Sequence, residues 1–365
     1  MKNKLNSTEN LVQKPSEYDT EVINVLKFTV ENIRKRPAMY VGDCSIRGLK
    51  HLLQYYFDDF PKKEFQTTQV DIEIRQDNWI NIRIAEIDTT VMMNTITHLE
   101  KGKFDKCTYG LPLMIGLSDE INITIQKFPS VVVLNANNGI HESWISTAQT
   151  KENMIELSFK LDLDIFKNVE YDYEIINHFL RQYAILNPHF NIKSSDKVSN
   201  NQQVNIFYYP KGIAHLLTHK IAEQHYGNPI FRLDLNTSIE HYDYQISFAY
   251  QDFWLGQTFV TSFANNDELL FGGSLIDGIF DGIILAVKRK AKKDGTKIKI
   301  NHKIVQKQLI LIASVKGQNF NFGGSIKENL VMPEMRKQIK NYISKTIDDY
   351  FSNNQTIADK VLDIF

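Results

Sequence analysis

The feature that most constrains this chain is a change of hydrophobic period. Over residues 46–60, Leu49, Leu52, Leu53, Tyr56 and Phe57 recur at three- and four-residue spacing, which lays them on one face of a helix. From residue 69 the period drops to two. Residues 69–75 and 79–84 alternate apolar with polar side chains, and Asp77-Asn78 between them reads as a hairpin turn. A helix with one apolar stripe and strands with one apolar face are both satisfied when helices pack on one side of an antiparallel sheet. Strand-like runs at 120–126, 130–135 and 155–161 extend that sheet, with Asn137-Asn138-Gly139 as another hairpin turn. A helix over 21–34, with Val22, Val25, Leu26, Val30 and Ile33 on one face, precedes it. The expected class is α+β.

The pattern changes again near residue 171. A helix over 171–186 is followed by strands near 204–209 and 244–250 and an amphipathic helix within 272–292 carrying Ile276, Ile279, Ile283, Ile284 and Val287. A lysine-rich turn over 288–299, a strand over 308–316 and a helix over 333–351 complete the reading. At 365 residues the chain has room for about two domains. The expected divisions are a flexible arm over 1–20, a first domain over 21–168, a second over 169–352 and a tail over 353–365.

The 42 basic and 43 acidic residues leave a formal charge of -1, so no global field draws in nucleic acid and any such contact needs a local patch. The strongest is the run of Lys288, Arg289, Lys290, Lys292 and Lys293 with Lys297 and Lys299, which reads equally as a solvated helix end. Cys44 and Cys107 are too few for a disulfide framework. The polar N-terminus and the lack of any apolar run of about 18 residues argue against a signal peptide and a membrane span. The expectation is a cytoplasmic protein.

The string Ile33-Arg34-Lys35-Arg36-Pro37-Ala38-Met39-Tyr40-Val41-Gly42, continued by Gly48-Leu49-Lys50-His51-Leu52, resembles the R-K-R-P-G-M-Y-I-G and G-L-H-H-L hallmarks of gyrase B and topoisomerase IV B subunits. In the family's order follow Gly102-Lys103-Phe104-Asp105, Leu186-Asn187, Phe263-Ala264-Asn265-Asn266, Gly272-Gly273-Ser274, Ser314-Val315-Lys316 and Lys327-Glu328-Asn329-Leu330. The resemblance spans residues 20–352. It implies a GHKL-type α/β sandwich, which in the family binds ATP and Mg²⁺, joined to a transducer domain like ribosomal protein S5.

The resemblance also locates the site, and there the chain departs from it. Tyr55 stands where the family's general-base Glu activates water, and a phenol with a reference pKa of about 10 is a poor proton acceptor at neutral pH. Asp59 replaces the Mg²⁺-binding Asn. A carboxylate suits a hard cation, but Asp58 and Asp59 also read as a solvated helix end. Ala85 takes the adenine-reading position, with Glu86 or Asp88 as substitutes after a register shift. Lys103 and Tyr109 lie near the phosphate lid, which is shortened, has lost its glycine run and carries Pro112, a residue without an N–H. Lys327 matches the transducer lysine that reaches the γ-phosphate, but its partner Gln is replaced by Ser325. His215 and His219 share a helix face without a third ligand, so a structural role is expected.

These substitutions imply a module that has lost ATP hydrolysis and needs no cofactor, acting as a homodimer or as a heterodimer with a topoisomerase-like subunit, with DNA contact possible. Two alternatives stand beside it. One is a divergent active ATPase using ATP and Mg²⁺ through Glu86, Asp59 and Lys327. The other is a regulator holding another small ligand in the old cleft.

Overall fold

The computed structural model describes residues 30–60, 67–100, 108–147, 151–167, 169, 171–198, 203–223, 229–251, 258–324 and 328–365. The expected arm over 1–20, the first part of the 21–34 helix, Lys103, Cys107, Ser325 and Lys327 lie outside the described residues. The chain forms two compact units. One comprises Met1–Pro61, Asp71–Asp172 and Ser195–Gln203, the other Lys62–Val70, Tyr173–Ser194 and Val204–Phe365.

The first unit contains Asp71–Arg75 of strand β1 (Thr68–Arg75) and strands β2 (Trp79–Ala85), β3 (Ser118–Lys127), β4 (Ser130–Asn137), β5 (Ile140–Thr147) and β6 (Met154–Leu161), which form a sheet in the order β5-β4-β3-β6-β2-β1. Strands β7 (Phe190–Asp196) and β8 (Val204–Tyr208) follow later in the chain. Both expected turns are present. Asp77 and Asn78 have φ of 57° and 58°, and Asn138 and Gly139 have 50° and 78°, left-handed values that Asn, Asp and Gly adopt at least cost. Alternation along β2 buries Ile80, Ile82 and Ile84 and leaves Trp79, Asn81, Arg83 and Ala85 on the other face. Such one-sided burial is what a sheet covered on one face requires.

Helix Ile46–Asp58 starts where Ser45 Oγ accepts from the Arg47 amide, and it buries Leu49, Leu52, Leu53, Tyr56 and Phe57. The short helix Val30–Lys35 carries the first arginine of the hallmark string. The Arg34 guanidinium donates to the Gly116 carbonyl at 2.9 Å and to Asn138 Oδ1 at 3.3 Å, and pairs with Asp162. The helix Thr90–Glu100 falls where the sequence pattern predicts none.

In the second unit, β9 (Phe231–Ile239), β10 (Tyr242–Tyr250), β11 (Phe259–Ala264), β12 (Asp267–Glu268) and β13 (Leu309–Lys316) form a sheet in the order β12-β11-β13-β10-β9. The β13 segment Leu-Ile-Leu-Ile-Ala-Ser-Val is buried throughout, as a central strand covered on both faces must be. Leu309, Leu311 and Ala313 join one apolar cluster with helices Ser274–Lys293 and Pro333–Asn353. Ile310 and Ile312 join another with Ile185, Leu186, Ile213 and Leu217. The two long helices approach closely at Gly278 and Gly282, where an added Cβ would stand 2.8 Å from the Arg336 carbonyl oxygen and 2.7 Å from Ile343 Cβ.

The structure corrects two expectations. The lysine-rich segment is no turn until Asp294. Helix Ser274–Lys293 runs through Lys293, and Lys290 is buried between Asp294 and Asp359. The segment expected as a tail contains helix Gln355–Ile364, whose Ala358 and Val361 are buried in the same core.

Candidate functional site

Asp59 follows the last turn of helix Ile46–Asp58. Its Oδ1 accepts from the Tyr109 amide at 2.7 Å and its Oδ2 from the Leu111 amide at 2.9 Å. The helix that begins there, Gly110–Leu117, would otherwise present unpaired N–H groups and a partial positive charge at this end. Pro112 sits in its first turn, where the N–H has no intrahelical partner, so the proline that reads as a defect in a loop is harmless in this position. Gly110 allows the approach: a Cβ there would lie 2.3 Å from both Cα and N of Tyr56. Tyr55 meets Tyr109 edge to face, with ring centroids 5.1 Å apart. The amides at this helix start are thus taken by a carboxylate from the chain itself.

Burial pushes the Asp59 carboxyl up to about 6, against the lowering effect of the Tyr109, Leu111 and Gly110 amides, and the charge on Asp58 adds to the rise. An unfolded aspartate titrates near 3.9, so the folded chain holds this proton more tightly. Its contribution to stability is fully present below about pH 4 and is lost as pH rises through about 6. The two-unit difference corresponds to roughly 3 kcal/mol. Replacing the group by Asp59→Asn removes the titration. Urea unfolding at a series of pH values should therefore show the variant gaining roughly 2–3 kcal/mol on the parent between pH 4 and 7. A difference between the two proteins that does not change with pH would sink this assignment.

The remaining positions separate. Ala85 lies with Trp79, Asn81 and Arg83 on the face opposite Ile84, so the buried residue at this level of β2 is Ile84. Glu86 is exposed with φ of 58°, and its amide donates to the Asn153 carbonyl at 2.9 Å. Asp88 Oδ1 accepts from the Thr90 amide at 3.0 Å and from its hydroxyl at 2.6 Å, at the start of helix Thr90–Glu100. The sequence contained no signal for the Asp59 contacts beyond the carboxylate itself, because its partners are fifty residues away and are backbone groups.

Motif residues of the second unit do converge. Asn187 Nδ2 donates to Asn266 Oδ1 at 2.9 Å, and Lys316 donates to Asn187 Oδ1. The Asn265 amide donates to the Val315 carbonyl at 2.7 Å, and Asn265 Oδ1 accepts from the Gly317 amide at 3.1 Å. Gly273, with φ of 85°, runs so close to Leu330 that a Cβ would stand 2.3 Å from its carbonyl oxygen. The motifs at 186–187, 265–266 and 314–316 are therefore held together by their own side chains and backbone, and the motif at 272–274 lies against Leu330. His219 pairs with Glu223 and His215 packs on Tyr209. Among the described residues no group of three or more His, Cys, Asp or Glu could hold a metal ion, and no helix is long and apolar enough to cross a membrane.

Residues 212–365 match the family model described as DNA gyrase B. The gyrase B protein of Clostridium acetobutylicum is 26% identical, covering 95% of this chain and 58% of its own length. The B subunit of the type 2 topoisomerase of Aquifex aeolicus is 23% identical, covering 96% and 47%. The chain thus spans about half the length of the curated relatives it matches. The 43K ATPase domain of Thermus thermophilus gyrase B, solved with an aminocoumarin, superposes with a TM-score of 0.72 at 19% identity, covering 93% of this chain and 94% of that one. The fold is the α+β GHKL type, and the chain is similar to the N-terminal region of type II DNA topoisomerase B subunits.

Proposed function

We propose that this gyrase B-like module does not hydrolyse ATP and acts as a dimerising or partner-binding subunit, alone or with a topoisomerase-like chain. The observation that carries the reading is the Asp59 carboxylate on the Tyr109 and Leu111 amides. A triphosphate brought to that helix start would meet a negative charge already hydrogen-bonded there. Tyr55 in the place of the water-activating Glu supports the same conclusion from the chemical side. As arranged, these residues do not fit ATP with Mg²⁺.

Contact with DNA, if it belongs to this role, falls to the exposed Lys288, Lys292, Lys293, Lys297 and Lys299. Arg289 and Lys290 are committed to Asp348 and to Asp294 with Asp359. Calorimetric titration of ATP and of a non-hydrolysable analogue, each with Mg²⁺, into the folded protein should give no binding heat that arises at the Asp59 helix start. Saturable micromolar binding by either ligand that substitution of Trp79 and Lys197 leaves unchanged would overturn the proposal and restore the ATPase reading.

A further inference from the structure

On the face of the first unit's sheet opposite Ile80, Ile82 and Ile84 lies a groove of about 500 Å³ lined by Arg75, Gln76, Trp79, Asn81, Ser158 and Lys197. That volume is within the range of small-ligand sites. The groove's floor follows from strand register. Asn81 on β2 stands directly opposite Ser158 on β6. With its amide oxygen toward Arg75, Asn81 lies 3.0 Å from the guanidinium nitrogens and donates to Ser158 Oγ at 3.0 Å. The left-handed turn at Asp77 and Asn78 brings Gln76 and Trp79 to the groove's end.

Its wall is fixed by the turn after β7. The Lys197 amide donates to the Ile74 carbonyl at 2.8 Å, and buried Asp196 accepts from the Val198 amide at 2.8 Å. The two cations differ in what they have left to offer. Arg75 is paired with Glu73 at 2.6 Å and 3.0 Å. Lys197 is exposed, and no described carboxylate pairs with it.

An indole and such an ammonium lining one groove, together with amides and a hydroxyl, match a flat ring joined to an anion. An indole offers a stacking surface, the lysine a charge-assisted hydrogen bond, and the amides and hydroxyl directional donors and acceptors. We infer that this groove binds a small planar-ringed phosphate of the nucleoside monophosphate class. The site lies on the sheet face opposite Ile84, so the inference is independent of the function proposed above.

The test is calorimetric titration of adenosine monophosphate, adenosine and inorganic phosphate into the full chain and into Trp79→Ala, Lys197→Glu and Lys197→Met. The monophosphate should bind saturably, and adenosine and phosphate alone should each bind about tenfold more weakly or worse. Each lysine variant and Trp79→Ala should weaken the monophosphate by about tenfold or more. Three outcomes overturn the inference: no monophosphate heat with the folded protein, an affinity that survives either the Trp79 or the Lys197 substitutions, or phosphate alone binding as tightly.

Discussion

Replacing Gly110 with alanine is expected to destabilise the first unit by about 3 kcal/mol or more, the upper part of the range for overpacking a close contact. The reason is the identity of the atoms that the new methyl group would meet. They are the Cα and N of Tyr56 at 2.3 Å and the carbonyl carbon of Tyr55 at 2.4 Å, all backbone of helix Ile46–Asp58. No rotamer change relieves such a contact, so the two helices must separate, and the amides of Tyr109 and Leu111 then move off Asp59. Gly295→Ala is the control. It adds a Cβ at a positive φ of 72°, but with nothing within 4 Å, so only the backbone strain of about 1 kcal/mol applies. Equal shifts in the urea midpoint for the two variants would show that helix contact at Gly110 is not the cause.

Arg34→Met is the second large effect, expected at about 2–3 kcal/mol. Asp162 is 5% exposed in its side chain and Arg34 24%, so the loss leaves a carboxylate largely buried without its counter-charge. The Gly116 carbonyl and Asn138 lose a donor in the same step. Full removal of a buried partner costs about 3–5 kcal/mol, and the partial exposure of Arg34 lowers the expectation. Asp162 keeps its bond from the Asp164 amide at 2.8 Å. Combining Arg34→Met with Asp162→Asn should therefore recover part of the loss, because the stranded charge has gone. Additive effects in the double-mutant cycle would mean that the pair is not coupled.

The fold was legible where one local rule acted alone. Trp79 to Ile84 alternates because one face of β2 is buried, and Asp77-Asn78 turns because both residues tolerate positive φ. The α+β class and the relationship to topoisomerase B subunits followed from such segments and from the motif string. The helix Thr90–Glu100 escapes a sequence reading because residues 84–90 fall on a loop motif, and its short apolar set, Met92 and Ile96, is buried beside the polar Thr95 without a strong stripe. Helix Ser274–Lys293 runs beyond its expected end because Lys290 finds two carboxylates, one of them on the last helix. At the candidate site, the substitutions at Tyr55 and Asp59 could be read residue by residue. What Asp59 does could not, since its partners are main-chain amides brought near by packing, and the strand face on which Ala85 lies is likewise set by tertiary burial.

The arrangement of β13 has a consequence for the time at which the second unit becomes complete. Its parallel neighbour β11 pairs Phe259 with Ile310 and Ala264 with Val315, so this contact waits for the whole crossover, helix Ser274–Lys293 included, to emerge during synthesis. Pairings over such separations form slowly because loop closure precedes the contacts that stabilise it. The same core is then closed by Ile339, Ile343, Ala358 and Val361. A nascent chain therefore leaves part of the apolar surface of β10 and of helix Ser274–Lys293 uncovered until helices Pro333–Asn353 and Gln355–Ile364 have left the ribosome. That interval, rather than the finished fold, is where this unit is most exposed to chaperone capture and to pairing with the wrong chain.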